Sequence, residues 1–299
     1  MKPVSLALHA LFACSVAAGA SAAPTYDEEY AKYGVGMAGA AYCAGTLGHG
    51  VENWSCRACK GYPGVTNSTI ITESSLSYTL NGFIAYDSSE DRIVLSIAGT
   101  DPLKIRDWID DLDFFKSEYP LCAKYGSEKC EAHEGFLGSY DVGREAIVSA
   151  VKEYKAAFPT AALHLVGHSL GAIMSVFAAL DLTLEENIKV DSLLTFGQPR
   201  GGDQAFADFF EANLEELRLT HYTDPVPHLP PQNLLGEAFF QHPSTEVYYE
   251  QYNSLGSYKV CDGQEDNTCS NKNLVDVDLL MHLNYVGFDF ISNYLACKL

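Results

Sequence analysis

Leu163-His164-Leu165-Val166-Gly167-His168-Ser169-Leu170-Gly171, continuing into an almost wholly apolar stretch that ends at Leu180, is the passage on which the fold turns. A short buried strand, Leu163 to Val166, passes directly into an apolar helix, Gly171 to Leu180, and the two glycines leave room for the tight turn that joins them. The spelling Gly167-x-Ser169-x-Gly171 is weak by itself, because an ordinary serine in a glycine-rich turn looks the same. At a strand-to-helix junction it gains meaning. Such a turn lifts the serine hydroxyl clear of the sheet. It also aims the first helical amides, Leu170 among them, at an oxygen that becomes negative in acyl transfer.

Working outward, strands and helices alternate. Ala146, Ile147, Ala150, Val151 and Tyr154 recur at helical spacing, which predicts an amphipathic helix from Gly143 to Phe158, stopped by Pro159. Ser192 to Phe196 reads as a strand, Ala205 to Leu214 as a helix, and Leu217 to Tyr222 and Glu246 to Tyr249 as two more strands. Towards the N-terminus, Gly82 to Tyr86 and Arg92 to Ile97 flank a polar turn and predict an antiparallel hairpin. Asp27 to Cys43 reads as a helix against the body of the fold. The alternation implies one α/β domain with a mostly parallel sheet whose first strands are antiparallel.

A serine hydroxyl is a poor nucleophile at neutral pH. It needs an imidazole to take its proton and a buried carboxylate to hold that imidazole, and on this kind of sheet they follow in the order Ser, Asp, His. Asp224 lies just after a strand and before Pro225, where a sheet presents catalytic side chains; an Asp-Pro turn former would look the same. His221, His228, His242 and His282 all follow Ser169. His221 lies within a strand and His228 sits close behind Asp224, whereas His282 comes after every strand, but the residues alone do not decide among them. His168, beside Ser169, points elsewhere and is expected to pack or hydrogen-bond locally.

Lys2 followed by an apolar run from Val4 to Ala18 and by Ala20-Ser21-Ala22 reads as an export signal, residues 1–22, leaving residues 23–299 as a single domain. The run is too short to span a bilayer, so no integral membrane segment is expected. With 39 acidic against 19 basic residues and a formal net charge of -20, the surface repels nucleic acid and anionic membranes, and neutral or zwitterionic substrates fit better. Of nine cysteines, Cys14 leaves with the signal, and an even number after export suggests disulfides. Eight cysteines allow 105 pairings, although Cys56/Cys59, Cys122/Cys130 and Cys261/Cys269 look like local loops and leave Cys43 to meet Cys297. Zinc on Cys56 and Cys59 lacks a second ligand pair at metal spacing. Asn53-Trp54-Ser55 and Asn67-Ser68-Thr69 are glycosylation acceptors where the host glycosylates.

Taken together, Lys104-Ile105-Arg106-Asp107-Trp108-Ile109-Asp110-Asp111-Leu112, His133-Glu134-Gly135-Phe136, the Ser169 turn, Thr195-Phe196-Gly197-Gln198-Pro199-Arg200, Asp224-Pro225-Val226-Pro227 and His282 with Tyr285 resemble the secreted fungal-type lipases of class 3, over nearly all of residues 23–299. The resemblance implies an α/β-hydrolase fold with a short lid helix, and Ser169, Asp224 and His282 as catalytic triad. Thr100, in Gly99-Thr100, becomes the oxyanion donor beside Leu170. The same resemblance pairs Cys43 with Cys297, Cys56 with Cys59 and Cys261 with Cys269, with Cys122–Cys130 as an addition. Two positions depart from the family: Ala98 stands where an arginine is usual, and Met281 where an aspartate precedes the histidine.

Ile105, Trp108, Ile109 and Leu112 fall at i, i+3, i+4 and i+7, which makes an amphipathic helix with a tryptophan on its apolar face. In the family it resembles, this helix is a lid over the serine that turns its apolar face to a lipid surface; a helix packed permanently on the core would show the same pattern. Asp101 to Lys104 before it is slightly long for the family. The expected activity is hydrolysis of acylglycerol esters outside the cell by an acyl-enzyme route. No metal or organic cofactor is expected, and the protein is expected to act as a monomer in transient contact with a lipid interface. Two rivals remain: an esterase on soluble, cell-wall (feruloyl-type) or phospholipid esters, and a non-catalytic lipid-binding protein.

Overall fold

The structure is a computed structural model that describes residues 25–45, 50–126, 128–253 and 255–298; the expected export signal lies outside them. Its centre is an eight-stranded sheet: β1 (Val65–Ser74), β2 (Thr79–Asp87), β3 (Arg92–Ile97), β4 (Ala162–His168), β5 (Ser192–Phe196), β6 (Leu217–His221), β7 (Glu246–Tyr249) and β8 (Tyr258–Cys261). Spatial order follows chain order. Strand β2 runs antiparallel to both β1 and β3, β3 to β7 are parallel, and β8 returns antiparallel at the far edge.

Around the sheet lie α1 (Glu28–Ala41), α2 (Ile105–Asp110), α3 (Pro120–Tyr125), α4 (Glu134–Asp141), α5 (Arg144–Ala157), α6 (Leu170–Leu184), α7 (Gln204–Asn213), α8 (Leu279–His282) and α9 (Phe290–Lys298). The strands divide their side chains between two cores, as the two-residue period of a strand requires. In β3, Ile93, Leu95 and Ile97 enter the core shared with α3 to α7, while Val94 enters the one shared with α1 and α9. Trp108 of α2 touches both, so this short helix lies at the rim. Carboxylates cap the starts of several helices: Asp27 accepts from the Glu29 amide at 2.8 Å and Asp203 from the Phe206 amide at 2.9 Å. Among the described residues, no helix is long and apolar enough to cross a membrane.

Four disulfides are present: Cys43–Cys297, Cys56–Cys59, Cys122–Cys130 and Cys261–Cys269. The bond between Cys56 and Cys59 removes the thiolates that zinc would need. Cys43–Cys297 fastens the residues after α1 to α9. Strand β1 is absent from the sequence expectation because, as an edge strand, it buries only Val65 and Ile71 of its ten residues and so lacks an apolar pattern. Strand β8 escapes notice for the same reason.

The turn between β4 and α6 is packed to contact. A Cβ on Gly171 would stand 2.1 Å from the Ile97 carbonyl oxygen, and one on Gly167 would stand 2.2 Å from the Gly171 carbonyl oxygen. Gly171→Ala is therefore expected to destabilise the chain by about 1–3 kcal/mol. Gly61→Ala, where nothing lies within 4 Å, should stay within about 0.5 kcal/mol. Denaturant unfolding midpoints of the two variants check this.

A buried polar cluster lies between β5 and β6. Burial pushes the Glu216 carboxyl up to about 7, although Arg218, Gln198 and Thr195 pull it down. The unfolded chain releases a glutamate proton near 4.3. The folded chain therefore holds this proton more tightly, and the stability it contributes is fully present below the unfolded value and lost as pH rises through about 7. Unfolding free energies measured from about pH 4 to 9 should show Glu216→Gln removing a decline on the order of 3 kcal/mol.

Candidate active site

Two parallel strands, β4 and β6, lead into Ser169 and Asp224 beyond their C-terminal ends, where open α/β sheets place their ligand sites, and the short helix α8 brings His282. Ser169 follows β4 with φ 59° and ψ -132°, the left-handed region a non-glycine residue adopts only under constraint. Its amide donates to the Phe196 carbonyl at the end of β5 (2.9 Å), and its own carbonyl accepts from Ala172 (2.9 Å), the first turn of α6. Asp224 follows β6. One carboxylate oxygen accepts from the Val226 amide at 2.8 Å and the other lies 2.9 Å from Nδ1 of His282, the last residue of α8. Tyr285 donates its hydroxyl to that same second oxygen.

Burial pushes the Asp224 carboxyl up, but His282, Tyr285 and the Val226 amide together hold it below the ordinary aspartate range, so it is ionised. Burial, reinforced by Asp224, raises the Tyr285 phenol well above its usual value and keeps it a donor. An ionised carboxylate fixes the His282 proton on Nδ1 and leaves Nε2 as a base. Nε2 has no hydrogen-bond partner, and neither has Ser169 Oγ. Both residues are wholly buried.

Gly197, beyond β5, makes this approach possible. At φ +57°, a Cβ there would stand 2.8 Å from Nδ1 and Cε1 of His282 and 3.1 Å from Asp224 Oδ2. Gly99 has the same role on the other side, where a Cβ would stand 2.8 Å from that of Ser169. The loop beginning at Gly99 is thus pressed against the serine, and half-buried Thr100 follows it. Leu170 opens α6, where amides of the first turn have no partner within the helix.

Helix α2 carries Ile105, Trp108 and Ile109. Ile105 is buried, Trp108 and Ile109 are half-buried, and Asp107, Asp110 and Asp111 are exposed. Trp108 stacks on Phe136 of α4 with ring centroids 6.1 Å apart. A cleft of about 370 Å³ is lined by Trp108, Leu112, His133, Phe136 and Leu170. Larger clefts lie elsewhere and include none of Ser169, Asp224 and His282.

The structure joins Asp224 to His282, sets Ser169 next to His168, whose ring lies 4.5 Å from that of His282, and leaves the other histidines to different tasks. His242 donates through Nε2 to the Pro227 carbonyl (2.8 Å), and His228 makes no hydrogen bond through either ring nitrogen. His168 packs, with Phe290 stacked on its ring at 3.9 Å, while its hydrogen bonds reach residues distant in the chain. Its partners are Tyr42 and the backbone of His282, more than a hundred residues away in each direction, because the β4 terminus lies between α1 and α8. Gly197 and Tyr285 were not assigned these contacts from sequence. A glycine between a strand and a proline-containing turn was the available signal for the first.

A family model described as Lipase (class 3) matches residues 94–234. A lipase of Rhizomucor miehei is 31% identical over 283 residues, spanning 93% of this chain and 73% of that protein. The secreted mono- and diacylglycerol lipase 1 of Fusarium solani is 32% identical over 232 residues, spanning 75% of this chain and 66% of its own length. Among solved structures, one described as a serine protease triad forming the catalytic centre of a triacylglycerol lipase superposes with a TM-score of 0.74 at 30% identity, covering 88% of this chain and 95% of the other. The shared sheet, the length of the match and the level of identity place this chain in the class 3 lipase family of α/β-hydrolases.

Proposed function

We propose that the chain is a secreted lipase that hydrolyses acylglycerol esters through an acyl-enzyme on Ser169, with residues 1–22 serving export and residues 23–299 forming one domain. The observation that carries this reading is the buried pair of unpartnered atoms, Ser169 Oγ and His282 Nε2, backed by the Asp224 carboxylate on the far side of the imidazole. Leaving such atoms unsatisfied costs free energy in a structural core and is what a reacting pair awaiting a substrate requires.

Ser169 Oγ attacks the ester carbonyl carbon as His282 Nε2 takes its proton. The amides of Leu170 and Thr100, with the Thr100 hydroxyl, receive the developing oxyanion. The imidazolium, held by Asp224, protonates the departing glycerol oxygen and leaves an acyl-Ser169. Water, losing its proton to His282, then attacks the acyl carbon, and return of that proton to Ser169 Oγ frees the fatty acid. The four disulfides suit an oxidising compartment. The acidic surface suits a neutral substrate.

A serine with no solvent exposure cannot meet an insoluble substrate. We assign α2 as the lid that must leave, with Ile105, Trp108 and Ile109 as the apolar face it offers to lipid. The test is hydrolysis of a triglyceride by the purified mature protein across the substrate's solubility limit. A jump in rate above that limit is expected, and Ser169→Ala should lower kcat by at least about 10⁴-fold. Thr100→Ala, which keeps the amide and deletes one donor, should raise the barrier by up to about 2.7–4 kcal/mol. Ser169-dependent activity on soluble esters alone would make the chain an esterase, and wild-type activity in the alanine variant would end the triad reading.

A further inference from the structure

The base rides on an element that does not hold itself together. α8 is four residues long, Leu279–His282, and a helix of one turn has no stability of its own in water. At its start the Asp278 carboxylate accepts from the Leu280 amide at 2.9 Å, and the Asp278 amide donates to the Thr223 carbonyl, also at 2.9 Å. At its end the carbonyls of Met281 and His282 lie beyond the reach of a helical ladder. Two other histidines meet them. His168 places Nε2 2.7 Å from the His282 carbonyl oxygen, and His221, the last residue of β6, places Nδ1 3.2 Å from that of Met281.

A carbonyl oxygen only accepts, so His168 carries its proton on Nε2 and its Nδ1 is an acceptor. The Tyr42 hydroxyl, 2.7 Å from Nδ1, donates there and fixes that tautomer. The ring is also fixed face-on: Phe290 stacks on it at 3.9 Å and 15°, and the His282 ring lies 4.5 Å away. Burial, with the neighbouring His282, pushes His168 well below the ordinary histidine range, so the ring stays neutral and keeps one proton and one lone pair. His221 Nε2 faces the carbonyls of Gln251 (3.0 Å) and Tyr252 (3.2 Å); with one N–H, a neutral ring donates either to that loop or to Met281, not to both.

We propose that His168, oriented by Tyr42, is a positioning residue that fixes the backbone of His282 and thereby the distance from its Nε2 to Ser169. The proposal rests on the triad reading above. Because His168 is the neighbour of Ser169 in the chain, the nucleophile and the carbonyl of its base are joined by a single side chain. A shift of 1 Å in a reacting pair costs about 10²-fold in rate, and the His168 bond holds the carbonyl of His282 itself against such a shift, beside the Asp224 bond to its ring and the Phe290 amide bond to the Leu283 carbonyl.

The experiment compares His168→Leu, which removes the donor, with His168→Gln, whose amide nitrogen can still reach the carbonyl. Tyr42→Phe keeps the packing and frees the tautomer. Each is measured for kcat and KM on a soluble ester, for thermal midpoint, and for the low-field proton resonance of His282 Nδ1–H. His168→Leu is expected to lower kcat by about 10- to 100-fold with KM within about two-fold, and to shift or broaden that resonance. His168→Gln should recover most of the rate, and Tyr42→Phe should lose less than the leucine variant. If His168→Leu does not fold, Tyr42→Phe decides: loss of kcat with an altered resonance supports the proposal, and wild-type kcat overturns it. Unchanged kcat in a folded leucine variant overturns it, as does failure of a folded glutamine variant to recover. In His282→Ala, wild-type activity would bring down the triad reading itself. An inactive His282→Ala beside a fully active His168→Leu would bring down the positioning role alone.

Discussion

The structure depends on one strained residue. Ser169 is held at a positive φ because β4 enters the turn and α6 leaves it with no spare atom between them. Gly167 and Gly171 are in contact with each other's backbone, and Gly171 lies against the carbonyls of Ile97 and Ala98 at the end of β3. That last contact sets the position of the Gly99–Thr100 loop relative to the serine. A bulkier residue at Gly171 would separate β3 from α6 and move the Gly99–Thr100 loop away from Ser169, and one at Gly167 would push the end of β4 off α6. The strain is held in place by burial on both faces of the sheet, which supplies the free energy a strained turn needs.

The central strands and helices were legible because they are buried and periodic. β4 to β7 and α5 to α7 each announce themselves by an apolar run or a helical repeat, and the observed bounds differ from the sequence reading by a few residues at most. What escaped had no such pattern. β1 and β8 are edge strands with little to bury, and α4 reads Glu134-Gly-Phe-Leu-Gly-Ser-Tyr-Asp141, with two glycines that argue against a helix. It forms because Phe136 and Tyr140 are buried against the sheet core, and because the His133 side chain accepts from the Phe136 amide at its start. Tertiary packing there overrides propensity.

The site was legible in part for a different reason. Strand ends and the order Ser, Asp, His narrow the search, but order alone left four histidines behind Ser169. What separates them is where each ring nitrogen points, a property of the folded chain. His282 alone, among the described histidines, hydrogen-bonds a carboxylate through one nitrogen and leaves the other without a partner. His221 is occupied on both nitrogens by carbonyl oxygens, and His242 and His228 have no carboxylate in hydrogen-bonding contact with their rings. The same test removes His133, whose Nδ1 accepts from a backbone amide and whose Nε2 meets the Asp113 carbonyl at 2.8 Å.

His133 also explains why α2 rests where it does. Its Nε2 contact with Asp113 and the bond from the Glu134 amide to the Phe115 carbonyl (3.0 Å) fasten the chain just after α2. On the near side of the helix, Tyr294 of α9 donates to Asp101 at 2.6 Å, and the Leu103 amide donates to the same carboxylate at 3.0 Å. Both ends of the 101–115 segment are therefore anchored by hydrogen bonds, while α2 between them is held only by the packing of Ile105, Trp108 and Ile109. Apolar packing loses its advantage at a lipid surface, which offers the same side chains an equally apolar partner, whereas the hydrogen-bonded anchors keep theirs. On the proposed lid reading, the segment gives way in the middle and holds at its ends, so that exposing Ser169 need not disturb Thr100 on one side or β4 and α6 on the other.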